Sequence, residues 1–75
     1  MAILIDYKKV AEDSQAVEYL YGDSKLDRRL SIQKDTREGR PLDGIVDRDY
    51  RKILVVIVRA YLEDGTWPSG GMYAA

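Results

Sequence analysis

The chain has no cysteine and no histidine among its 75 residues. Without cysteine no disulfide can staple it, and no thiolate can serve as nucleophile or metal ligand. Without histidine, the side chain that most often moves protons near neutral pH is missing, and zinc and iron–sulfur sites of the usual kinds are excluded. The hydroxyls of Ser14, Ser24, Ser31, Thr36, Thr66 and Ser69 therefore lack the usual activating base. No glycine-rich phosphate loop is present either, since Gly70-Gly71 does not follow a strand pattern. The sequence is read as non-enzymatic, with no catalytic residues, no cofactor and no metal site.

Charge of one sign is also lacking. Twelve basic residues stand against 13 acidic ones, a formal net charge of −1. Whole-chain electrostatics give no pull toward nucleic acid or an anionic membrane. Long apolar runs are absent as well. The longest aliphatic run is six residues, 53–58, against the roughly 20 a membrane-spanning helix needs. The N-terminal stretch MAILIDYKK is apolar only briefly and has no basic start, so it reads as neither signal peptide nor membrane span. A cytoplasmic protein is the resulting expectation.

What is present is the composition of a folded domain, 45% hydrophobic and 33% charged. A single domain spanning 1–75 is expected. A domain of this size buries only roughly 60% of its unfolded surface. Unstapled and metal-free, it is marginal unless it associates.

Three segments alternate with period two and predict strands at about 2–10, 15–22 and 28–35. Ile3, Ile5 and Tyr7 share one face of the first. Val17, Tyr19 and Tyr21 share one face of the second, and Leu30 and Ile32 one face of the third. Residues 36–44 hold Gly39, Pro41 and Gly44 and read as an irregular crossover. The segment at about 47–64 predicts a helix. Asp47 suits the N-cap, Asp49 the positive first turn, and Gly65 the left-handed residue past the end. The expected fold is α+β: a small three-stranded antiparallel meander followed by one long C-terminal helix packed on the sheet. Residues 65–75 are expected to form an irregular tail.

The helix carries more apolar surface than one small sheet can cover. At 100° per residue, Tyr50, Ile53, Leu54, Ile57 and Tyr61 face the core, while Arg48, Lys52, Arg59 and Glu63 form a narrow polar stripe. Val55, Val56, Val58 and Leu62 are left over. These four, with Trp67, Met72 and Tyr73 of the tail, are the candidate partner-binding residues. Tyr19, Tyr21, Tyr50 and Tyr61 read mainly as amphipathic core and rim, although Tyr and Trp also anchor interfaces.

Two further constellations are weaker. Six basic residues lie between Lys25 and Arg40, and Arg28, Arg29, Arg37 and Arg40 could grip carboxylates or phosphates. A solvated strand face and loop explains them better, as it does most charge runs. Asp43, Asp47 and Asp49 could supply oxygen ligands to a cation, but a turn aspartate, an N-cap and a first-turn acid explain them better.

The pattern G-D…L-D-R-R-L, then G-R-P…G-I-V-D, a helix and D-G-x-W-P-x-G, between Gly22 and Gly70, resembles that of small bacterial proteins. The resemblance implies no activity. The leading functional expectation is a non-catalytic protein-interaction module, either an adaptor or an immunity- or antitoxin-type inhibitor. It would act as a homodimer through the apolar helix and aromatic tail, or on a protein partner. A nucleic-acid-associated regulator using the stretch from Lys25 to Arg40 is a disfavoured alternative. A small-ligand binder or enzyme around the 35–49 loop is another.

Overall fold

The computed structural model describes residues 4–23 and 25–74. Among these residues, five strands form one antiparallel sheet, and one helix crosses one of its faces. The strands are β1 (Leu4–Glu12), β2 (Ala16–Gly22), β3 (Arg28–Gln33), β4 (Gly39–Pro41) and β5 (Gly70–Ala74), in the spatial order β4-β3-β2-β1-β5. The helix, α1 (Arg48–Asp64), lies between β4 and β5 in the chain.

The α+β reading holds, with two corrections. The sheet has five strands rather than three, and α1 sits mid-chain rather than at the C-terminus. Both have one cause. The crossover contributes β4, which pairs Gly39 with Ile32 and Pro41 with Leu30. The expected irregular tail returns as β5, which pairs Tyr73 with Ile5 and Gly71 with Tyr7.

The three expected strands form a meander because their inward residues alternate in phase. Tyr7 stands opposite Tyr21, Tyr19 opposite Leu30, and Val17 opposite Ile32. Short turns join them. The Asp13 carboxylate accepts from the backbone N–H groups of Gln15 and Ala16 at 2.7 and 2.8 Å, closing the first turn. At the second, a Cβ on Gly22 would stand 1.7 Å from the Lys25 carbonyl oxygen, so only glycine fits. At the third, Arg37 takes a left-handed conformation (φ 60°), and its N–H donates to the Gln33 carbonyl at 2.7 Å.

Helix α1 starts and stops where the sequence signals place it. Asp47 is the N-cap, its carboxylate accepting from the Tyr50 N–H at 3.0 Å. Gly65 closes the other end at φ 77°, donating its N–H to the Tyr61 carbonyl at 2.7 Å. Beyond it, Trp67 stacks on Tyr61 with ring centroids 4.2 Å apart. The Tyr19 hydroxyl donates to the Pro68 carbonyl at 2.6 Å, which pins the chain as it turns back to β5.

The core lies between the helix and one face of the sheet. Ile5, Val17, Tyr19, Tyr21, Leu30 and Ile32 are buried there against Tyr50, Ile53 and Ile57. Trp67 caps one end of this cluster. Ile3, expected on the same face, lies outside the described residues. Among the described residues, no element covers the opposite sheet face. Among the described residues, no helix is long and apolar enough to cross a membrane.

Candidate partner-binding surface

Helix α1 buries one stripe and leaves another open. Leu54 and Val58 lie at the flank of the buried stripe, partly packed on the core. Val55 and Leu62 lie further round, 52% and 61% exposed. The i, i+3, i+4 spacing of 54, 55, 58 and 62 makes them one continuous ridge on the helix surface. They line a groove of about 370 Å³ whose polar rim is Arg37 and Arg59. Arg37 reaches it from the turn between β3 and β4, and Arg59 from the helix itself.

Two properties of the groove stand out. Its floor is aliphatic and its rim is basic, formed by Arg37 and Arg59; Arg48, Arg51 and Lys52 lie exposed on the first turns of α1, and Glu63 and Asp64 on its last. In addition, Arg37 occupies a left-handed backbone conformation that glycine or asparagine would adopt more cheaply. Residues held at such a cost cluster at binding and active sites.

The candidate residues from the sequence fall into separate places. Val55, Val58 and Leu62 share the groove. Val56 does not, because it lies on the other flank of α1, half-buried against the core. Trp67 is 8% exposed and committed to the Tyr61 stack. Met72 and Tyr73 belong to β5, where Met72 is 58% exposed and Tyr73 packs partly on the core. The groove residues that the helical projection assigned elsewhere are Leu54, placed in the core, and Arg59, placed on the polar stripe. Leu42, Ile45 and Val46, in the loop before α1, are also exposed and were given no role.

The four arginines are divided among three surfaces. Arg29 and Arg40 lie on the open sheet face, flanking Ser31. Arg37 is at the groove. Arg28 points to the core side, where its guanidinium fork lies over an aromatic ring and is engaged by three acceptors. Its guanidinium carbon stands 4.8 Å from the centre of the Tyr21 ring. Its Nε donates to Asp43 at 2.8 Å, its Nη1 to Asp47 at 2.9 Å, and its Nη2 to the Ile45 carbonyl at 3.2 Å.

This network sets the local electrostatics. Burial opposes the charge on Arg28, but hydrogen bonds to Asp43 and Asp47 outweigh it and hold the guanidinium more basic than usual. The Arg28 hydrogen bond and the Ile45 N–H hold Asp43 below the ordinary carboxylate range. The Tyr50 N–H, then Arg28, do the same for Asp47. Burial pushes the Tyr21 phenol up to about 12. Two carboxylates of the 35–49 loop are thus spent on a cation, a turn and a helix cap. The arrangement is a structural clamp that ties β3 to the start of α1.

Comparison with family models, with curated proteins and with solved structures finds no match to this chain.

Proposed function

We infer that this protein is a small non-catalytic interaction module, an adaptor or an immunity- or antitoxin-type inhibitor, which docks a protein partner on the outer face of α1. The observation that carries this reading is the groove of Leu54, Val55, Val58 and Leu62 between Arg37 and Arg59. Two aliphatic side chains more than half exposed on one helix ridge are a poor use of a 75-residue core. An exposed apolar patch with a polar rim is the usual mark of a protein contact. Its two rim arginines define the partner's chemistry: an apolar segment, most simply an amphipathic helix, flanked by acidic residues. Such a helix lays its anchors into a groove at i, i+3, i+4 and i+7 spacing.

The paired change Val55→Asp and Leu62→Asp tests this. Both side chains face solvent, so the fold should survive. Affinity purification from the native cell should recover a stoichiometric protein with the wild type and lose it with the pair. Equal recovery by both would remove the groove from the account. The basic stretch supports a nucleic-acid reading less well, because Arg28 is engaged and the other arginines occupy two separate surfaces.

A further inference from the structure

We propose that β5 is a self-pairing edge, and that two copies of this chain associate by joining their sheets antiparallel through it, across a two-fold axis at Met72. This surface is separate from the groove on α1, and the proposal does not depend on that groove.

A sheet edge presents unpaired N–H and C=O groups, and proteins usually blunt such edges with charge, proline or brevity. The β4 edge is blunted in all three ways, being three residues long, carrying Arg40 and ending in Pro41. The β5 edge is not. Its sequence, GGMYA, has no charge and no proline over five residues, and its register against β1 runs without a bulge.

The hydrogen-bond phase of β5 decides which groups are free. The Lys9 N–H donates to the Ser69 carbonyl at 2.9 Å. Lys9 and Ser69 are thus a hydrogen-bonded pair, and the alternation of an antiparallel ladder makes Tyr7–Gly71 and Ile5–Tyr73 the next ones. The N–H and C=O groups of Gly71 and Tyr73 are directed at β1. Those of Gly70, Met72 and Ala74 are directed away from the sheet.

This free set is complementary to itself. Placing Met72 opposite Met72 of a second copy sets Gly70 opposite Ala74 and Ala74 opposite Gly70. All three are then hydrogen-bonded pairs, which together make about six backbone bonds. The side chains fit the same register. Tyr73 of each copy falls opposite Gly71 of the other, so no two bulky side chains face each other at that pair. Glycine is required at 71 in each copy, since a Cβ there would stand 2.6 Å from the Tyr7 hydroxyl of the same chain. On the open face the two Met72 side chains, each 58% exposed, meet at the axis. No like charges are brought face to face. The product is a ten-stranded sheet with both helices on one side, which leaves both grooves open.

An interface of one strand per copy is small, so a dissociation constant in the range of ~10–100 µM is expected. The test is sedimentation equilibrium from about 10 µM to 1 mM, with backbone amide exchange by NMR on the same samples. The wild type should pass from 8.6 kDa toward twice that mass. The Met72 amide should gain protection with concentration, whereas those of Gly71 and Tyr73 are protected throughout. Met72→Pro removes only an outward N–H and should abolish the dimer without loss of fold. Met72→Lys, which sets two ammonium groups at the axis, should weaken it at least ~10-fold. Val55→Asp with Leu62→Asp should leave it unchanged. A wild type that stays monomeric to the highest concentration would overturn the proposal. So would a dimer that survives both Met72 changes, or one lost only in the helix pair.

Discussion

Replacing Arg28 with alanine removes the clamp between β3 and the start of α1. The side chain is only 19% exposed, while its partners Asp43 and Asp47 are 28% and 44% exposed. Open ion pairs contribute about 0–1 kcal/mol. Hydrogen bonds to sheltered charged groups contribute ~1.5–3 kcal/mol, and a guanidinium over an aromatic ring ~0.5–1 kcal/mol. Arg28 lies between these cases, because its own head is sheltered but its acceptors face water. A loss of about 2 kcal/mol follows for Arg28→Ala. In a chain of this size that lowers the melting temperature by roughly 8–16 °C. Arg28→Lys keeps the charge but loses the planar fork and the ring contact, so it should recover about half of the loss. A double-mutant cycle with Asp47→Ala, read by thermal melts or urea titration, should show coupling of about 1 kcal/mol. A shift below about 2 °C for Arg28→Ala, or strict additivity in the cycle, would refute the clamp.

Three other outcomes are expected. Tyr21→Phe should be neutral or stabilising by up to about 1 kcal/mol, since the Tyr21 hydroxyl is buried with no hydrogen-bond partner among the described residues; clear destabilisation in a thermal melt would count against that burial. Arg37→Gly should relieve the left-handed backbone and stabilise the fold by about 1 kcal/mol, yet weaken capture of the partner; a gain in stability with unchanged capture would take Arg37 out of the groove's function. Stability should be flat from about pH 5.5 to 9, because the chain holds no histidine and no cysteine, the side chains that ordinarily titrate there. It should fall in acid, because Glu12, Asp13, Asp43 and Asp47 are held below their ordinary values of 4.5 and 3.8. Their contribution is present above those values and is lost as pH drops through the lower folded ones. It should fall again in alkali above pH 10.0, where the unfolded chain ionises Tyr7, Tyr19, Tyr21 and Tyr50 before the folded one does. Melts across pH that show a slope near neutrality would contradict this.

The parts of the fold that could be read from the sequence are those where local chemistry and tertiary packing agree. The alternation of Val17, Tyr19 and Tyr21 and of Leu30 and Ile32 marks a buried sheet face, and that face is where they lie. Asp47 and Gly65 bound the helix because capping is a local interaction. Strands β4 and β5 were hidden for the opposite reason. GRP and GGMYA have poor strand propensity, and pairing with β3 and β1 imposes their conformation from a distance. The wider sheet then changed the candidate surface. With five strands beneath it, α1 covers Val56 and Val58 at least in part, so the open apolar ridge narrows to Val55 and Leu62. The four arginines looked like one basic patch in the sequence. Alternation along β3 separates Arg28 from Arg29, and the following turn carries Arg37 to the helix side.

Photo-crosslinking from position 55 in the native cell would show whether a partner docks on α1, because Val55 lines the groove and is 52% exposed. A photoreactive phenylalanine analogue there should give one dominant protein adduct, absent when Leu62→Asp is added, with the crosslink mapped to an apolar segment flanked by acidic residues. No adduct, or the same weak ladder as from exposed Lys25, would mean that the groove is a solvated surface and that this protein does not act by docking a partner on α1.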